Sequence, residues 1–190
     1  QIGEIMVTYT ISNDVMAMSP KEQAKEIARL SQWIKTYTES EAQGQIDLIT
    51  NLLRATAKET MSFYGYNANK SEIDNIIKKQ FKGKHFSSRV WENEEEVAKH
   101  LKKKVTEFAK GTISVNNVKK DIQKVFNSSD YNAKRLAYTE IARTQADAFT
   151  RFANEVGVTR VTYNAKLDGA TCNDCKNYDL KKFPIAKAPK

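Results

Sequence analysis

From Asp130 to Val156 no glycine or proline interrupts the chain, and apolar residues recur at helical spacing. Ala133, Ala137, Ile141, Ala148, Phe152 and Val156 make one stripe, which predicts a long helix. Asp130 is its expected N-cap, with Ser128 and Ser129 as alternatives. Gly157 stands where a left-handed residue would stop it. From Val158 to Lys166 the period drops to two, with Val161, Tyr163 and Ala165 on one face, which predicts a strand. Leu167-Asp168-Gly169 reads as a turn, and Cys172-Asn173-Asp174-Cys175 follows in a polar loop.

The opposite face of that helix carries Glu140, Arg143, Asp147 and Arg151 at spacings of three and four. Opposite charges so placed are neighbours on a helix surface. The expectation is a solvated ladder, since exposed pairs contribute roughly 0–1 kcal/mol each. A sharper alternative is that Glu140 and Arg143 pin the helix to the cysteine loop.

The remaining sequence is read as mainly helical. Ser19-Pro20-Lys21-Glu22 is a strong helix start, with Ser as N-cap, Pro first and Glu third. The helix is expected to end near Gly44, and a second to run from about Gln45 to Tyr64 as its antiparallel partner. The alternative is that Gly44 is only a kink in one long rod. Asn69 or Ser71 caps a short helix through Phe81. A loose boundary is placed at Lys82-Gly83-Lys84-His85, with His85 as a surface loop residue. From Ser87 or Ser88 a helix runs to Lys110, with Val90, Trp91, Val97, Leu101, Val105 and Phe108 on its buried side and Gly111 closing it. Ser114 or Asn116 starts another through Phe126. Before all of these, alternation of Ile5, Val7, Tyr9 and Ile11 suits a strand, or an extended arm docking on a neighbouring subunit.

Charge narrows the partners. The net charge is +8 over 190 residues, and it is uneven. Residues 1–69 hold six Lys/Arg against eight Asp/Glu, whereas residues 70–190 hold 25 against 15. A basic half points to an acidic partner, DNA first. Lys99, Lys102, Lys103 and Lys110, with Lys119, Lys120 and Lys124 on the following helix, are the candidate contacts. Lysines lacking arginines or interleaved aromatics would touch the phosphate backbone without reading sequence. The acidic-then-basic order along residues 92–110 also suits the helix dipole, so a solvated face is the competing account. No apolar run approaches the roughly 20 residues of a membrane helix, and no secretory signal is visible.

Two cysteines three apart are poor material for a disulfide scaffold. Cys-x-x-Cys can be half a zinc site, a redox pair or a local disulfide. The histidines, His85 and His100, have no partner spacing. Cys172 and Cys175 are therefore read as a structural staple, metal-bound or oxidised. No Gly-rich phosphate loop, His-x-x-x-His helix or nucleophile elbow is present, so an enzyme is the minority reading.

Five segments in order carry a resemblance: Tyr138-Thr139-Glu140-Ile141-Ala142-Arg143-Thr144, the Glu155-Val156-Gly157-Val158 stop, the strand, Leu167-Asp168-Gly169-Ala170-Thr171-Cys172-Asn173-Asp174-Cys175, and Phe183-Pro184. Together they resemble the C-terminal domain of the phage head morphogenesis (Mu F-like) minor head proteins, over about Phe86 to Pro184. There are departures. That family often has Arg where Tyr138 stands, Trp where Tyr163 stands, and Gly before the tail phenylalanine where this chain has Lys181-Lys182. It usually continues into a Pro-rich segment with a His and a Cys-x-Cys. Because Gln stands first in place of Met and the last residue falls inside that pattern, both ends of this sequence are expected to be trimmed or disordered.

With the boundary at residues 82–85, the chain is read as an N-terminal arm and helical docking region (1–84), and the resemblance makes 85–190 a head morphogenesis domain, truncated at its C-terminal end. Composition and helical patterning give a mainly α fold, and the resemblance adds a C-terminal α+β module of long helix, short β element and Cys-x-x-Cys loop. Glu140, Arg143, Gly157 and Asp168 would be structural. Cys172 and Cys175 would be part of a structural zinc site completed by residues after Lys190. Function would be structural, in the virion interior and in the host cytoplasm during assembly, with the portal and other capsid components as partners and double-stranded DNA as a further one. A stand-alone nonspecific DNA-binding protein is the alternative. A metal hydrolase, or a carrier for a downstream toxin-like domain, is the weaker third.

Overall fold

Ser19 opens the longest helix as expected. Its backbone N–H donates to Glu22 Oε2 at 2.8 Å, and the Glu22 N–H returns to Ser19 Oγ at 3.4 Å. In the computed structural model, which describes residues 1–189, this helix is one of six. The order is α1 (Ile2–Thr8), β1 (Ile11–Ser12), β2 (Val15–Met16), α2 (Pro20–Phe63), α3 (Lys70–Ile77), α4 (Phe86–Ala109), α5 (Val115–Glu155), β3 (Arg160–Thr162), α6 (Asn173–Tyr178) and β4 (Lys182–Pro184), then a 3₁₀ turn at Ile185–Lys187. The fold is mainly α, with two small antiparallel strand pairs, β1–β2 and β3–β4.

Four expectations are corrected. From Ile2 to Thr8 the N-terminal segment is a helix and not a strand or an arm, and of the expected run only Ile11 lies in a strand. Ile2, Ile5 and Met6 share one helical face, Tyr9 packs against the same core as the extended C-cap, and Ile5 is buried among Met16, Leu30 and Ile34. The chain then reverses in a two-residue hairpin loop, Asn13-Asp14, with φ of 50° and 63°. Both values suit the turn type that matches strand twist, and Asn and Asp tolerate it.

Secondly, Gly44 ends nothing. A glycine stops a helix by turning left-handed, and Gly44 is not among the positive-φ residues. An interior glycine costs about 1 kcal/mol against alanine. Buried Ala42 and Ile49 on either side anchor the helix through it. The single-rod alternative for residues 20–63 is the one observed, and the hairpin is not formed.

Thirdly, the helix expected from Ser114 and the one expected from Asp130 are a single helix. Ser114 Oγ does accept from the Asn117 N–H at 3.2 Å. Asp130 lies inside α5 and pairs with Lys134 at 2.8 Å. A good N-cap residue caps only where the backbone before it leaves the helix. Fourthly, α3 stops at Ile77, short of Phe81. Phe81–Lys84 is instead a tight turn, with Lys82 at φ 49° and Gly83 at φ 75°.

The chain forms two compact units, each from two stretches. The first comprises Gln1–Thr50 and Gln80–Tyr138. Its core gathers Ile5, Met16, Leu30, Ile34, Leu101, Val105, Phe108 and Val118. Trp91, expected inside, is 43% exposed. Gly111 closes α4 as expected, at φ +66°, and the Met16 carbonyl oxygen lies so close that a Cβ would meet it at 2.4 Å. His85 is the N-cap of α4, half-buried, its Nδ1 accepting from the Ser87 N–H at 3.3 Å.

The second unit comprises Asn51–Lys79 and the chain from Thr139 onward. Met61, Ile76 and Ala148 form its apolar centre, with Tyr66 and Ala68 packed against it. Asn69 caps α3 in a reciprocal box with Glu72. At the end of α5, Gly157 takes φ +74°, the Val158 N–H reaches Ala153 O at 2.8 Å and the Gly157 N–H reaches Asn154 O at 3.2 Å. This is the left-handed glycine stop read from the sequence. Val156, expected on the buried stripe, is 56% exposed.

Candidate functional site

The face of α5 expected in solvent is the most buried polar surface in the second unit. Glu140, Arg143, Thr144 and Asp147 are exposed by only 1%, 7%, 0% and 3%. Arg143 Nε donates to Glu140 Oε2 at 2.8 Å, and its Nη1 donates to Asp147 Oδ2 at 2.9 Å. Nη1 also reaches the carbonyl oxygen of Ile76 near the end of α3, at 3.3 Å. Lys79 Nζ lies 3.7 Å from Asp147 Oδ1.

Two carboxylates are thus balanced by two cations. Burial of such a group is tolerated only when it is paired and hydrogen-bonded. The solvated ladder is overturned for Glu140, Arg143 and Asp147, and the alternative is corrected too. Arg143 ties α5 to α3, not to the cysteine loop. Only Arg151 keeps the expected exposure, pairing with Glu72 at 2.9 Å and Glu155 at 2.8 Å. Among the described residues, Glu140 Oε1, Arg143 Nη2 and Thr144 Oγ1 have no hydrogen-bond partner.

Beside this cluster, Glu72 accepts from the Tyr66 hydroxyl at 2.7 Å, from the Asn69 N–H at 3.0 Å and from Arg151. These donors, Tyr66 foremost, hold its carboxyl down to about 2. Three donors on one carboxylate favour its charged form.

Asp168 organises the turn before the cysteines. Its Oδ1 accepts from the Ala170 N–H at 3.0 Å, and its own N–H donates to Thr171 Oγ1 at 2.7 Å. Cys172 ends the loop as the N-cap of α6, and its Sγ accepts from the Cys175 N–H at 3.4 Å. That N–H, followed by the Cys175 side chain, holds the Cys172 thiol below its ordinary range. Tyr163 donates its hydroxyl to Cys175 Sγ at 3.6 Å. The rings of Tyr163, Tyr178 and Phe183 meet edge-on, with centroids 5.9 and 5.7 Å apart. Asp179 Oδ1 accepts from the Ala165 N–H at 2.9 Å. Val161 pairs with Phe183 in the β3–β4 ladder.

Aromatic and backbone contacts hold the segment around the cysteines, and Cys172 and Cys175 are not joined in a disulfide. A structural zinc takes four ligands. Cys172 and Cys175 supply two, and no cluster of three or more His, Cys, Asp or Glu suited to a metal occurs among the described residues.

The lysines named from the sequence all lie in the first unit, and all seven are exposed. On α4, Lys99, Lys102 and Lys103, with Lys110 just beyond its end, point away from the buried Val97, Leu101, Val105 and Phe108. On α5, Lys119, Lys120 and Lys124 lie away from buried Val118. Lys104, which sits closer to the core, is neutralised by Glu107 and Asp121, both at 2.9 Å.

Sequence reasoning missed Glu94. Its place in the acidic half of α4 reads as part of a solvated face, yet it is 4% exposed and takes a 2.8 Å hydrogen bond from Gln45 Nε2. Burial pushes its carboxyl up. Its helical phase with Val90, Val97 and Leu101 is the signal that could have found it.

No protein-family model, curated protein or solved structure matches this chain.

Proposed function

We propose that the protein is a structural minor head component of a tailed phage or prophage, working in head assembly against the portal and the inner capsid surface. Its role is assembly, not turnover. The observation that carries this reading is how the C-terminal motifs are used. Glu140 and Arg143 sit inside a buried ionic tie, Gly157 stops the helix, Asp168 shapes the turn, and the Phe183-Pro184 tail pairs with β3. Each motif residue goes into holding a small module rigid, which suits a part that must be placed and kept. Co-expression with the portal protein of the same phage tests it. A complex surviving gel filtration is expected, and two separate peaks would sink the proposal.

A second reading, nonspecific binding of duplex DNA, is favoured by the exposure of all seven lysines away from the apolar core. In the virion this would accompany packaged DNA. In a stand-alone protein it would be the whole function. Lysine contacts to phosphate make log K fall with log salt by about 0.9 per contact. Titration of a random duplex between about 50 and 200 mM salt measures that slope, and absence of binding at the lower salt removes the reading.

A further inference from the structure

One face of α5 within the first unit carries two tyrosines that the fold does not bury. Tyr131 is 65% exposed and Tyr138 is 72% exposed. Lys120, Lys124, Lys134 and Arg135 are exposed on the same helix. Counted at 100° per residue, Lys120, Lys124, Tyr131, Lys134, Arg135 and Tyr138 fall within about 100° of arc. Buried Val118 and half-buried Ile122 and Val125 lie opposite. The stripe spans about 27 Å at 1.5 Å per residue. The Arg135 guanidinium already lies over the Tyr131 ring, 5.9 Å from its centroid. These are aromatics interleaved with cations, which the lysines taken alone do not provide.

We infer that this stripe binds single-stranded nucleic acid, with Tyr131 and Tyr138 as platforms for unpaired bases and Lys120, Lys124, Lys134 and Arg135 holding the phosphates. The proposal rests on the nucleic-acid reading above and names the kind of strand. Charge complementarity selects a polyanion: the stripe carries four cations against the neighbouring carboxylate of Asp130, which pairs with Lys134 at the surface, and the chain is +8 overall. The exposed rings then select among polyanions. Base faces are stacked away inside a duplex but open in a single strand, where stacking on aromatic side chains contributes without regard to sequence. Arginine stacked beside a ring adds a second flat cationic surface.

The test uses the full chain with a fluorescein-labelled oligo-dT of about 20 nucleotides and a random duplex of equal length, read by anisotropy at about 50 mM salt. The single strand is expected to bind more tightly than the duplex. Tyr131→Ala and Tyr138→Ala are each expected to weaken it at least about fivefold, leaving duplex binding unchanged. Tyr131→Phe and Tyr138→Phe keep the ring and are expected to retain affinity within about twofold. A wild-type chain with no preference for the single strand overturns the inference. So does single-strand binding indifferent to both alanine changes, or weakened as much by phenylalanine as by alanine. Circular dichroism of each variant confirms the helix is intact. Duplex binding is scored separately with Lys99→Ala, Lys102→Ala and Lys103→Ala combined. Loss there without a tyrosine effect overturns the single-strand inference alone, whereas a tyrosine effect without loss there overturns the duplex reading alone.

Discussion

Arg143 Nη1 donates to the carbonyl oxygen of Ile76 across 3.3 Å, joining positions 67 residues apart. With Glu140 and Asp147 on its other bonds, this one guanidinium ties α5 to α3 in the second unit.

Removing that guanidinium leaves two buried carboxylates facing each other's field. Arg143→Ala is expected to cost about 3–5 kcal/mol, the range for breaking a buried pair from one side. Adding Glu140→Gln should return part of the loss, because less charge is then stranded. Urea denaturation of the single and double variants measures both steps, and strictly additive losses would contradict the shared network.

Acid should act on Glu72 over a defined window. Its carboxyl sits at about 2 in the folded protein, against about 4.3 for an unfolded chain. A depressed folded value means the stabilisation is full above the unfolded value and is lost as pH falls toward 2. Glu72→Gln should flatten the melting temperature across that window while leaving the rest of the acid limb in place. Thermal scans at closely spaced pH values decide it.

Two glycines with the same backbone sign should respond differently to alanine. Gly157 at φ +74° has nothing within 4 Å of where an added methyl would sit, so Gly157→Ala carries only the left-handed penalty, about 1–2 kcal/mol. Gly111 at φ +66° would drive that methyl into the Met16 carbonyl at 2.4 Å. Gly111→Ala should therefore cost clearly more than Gly157→Ala in chemical denaturation.

The two thiols should separate chemically. Cys172 is exposed, and the Cys175 N–H holds its thiol below the ordinary range, whereas Cys175 is half-buried under the Tyr163 hydroxyl. The thiolate is the reactive form. Iodoacetamide at neutral pH should label Cys172 first, as followed by peptide mass spectrometry. Cys172→Ser should keep the α6 cap and the fold, since serine is a strong N-cap.

Much of the local structure was legible because local chemistry decides it. The Ser19 start, the Asn69 cap, the Gly111 and Gly157 stops and a strand at Val161, shorter at Arg160–Thr162 than the expected Val158–Lys166, each need only a few neighbouring residues. What was not legible depended on distant partners. Glu140, Arg143 and Asp147 look like a solvent face on a helical wheel, and distant partners such as Ile76 and Lys79 turn them inward. Ile5 and Val7 alternate like a strand with Tyr9, and the core around Ile5 makes the stretch Ile2–Thr8 a helix. Taking Asp130 as a cap splits α5, and with it the row joining Lys120 and Lys124 to Tyr131 and Tyr138.

That same uninterrupted course has a consequence for motion. Asn127, Ser128, Ser129 and Asp130 are four successive poor helix formers in the middle of α5, each less favourable than alanine by up to about 0.7 kcal/mol. Their amide protons should trade with deuterium before those of the turns around Ile122 and Leu136, making this the place where the helix breathes.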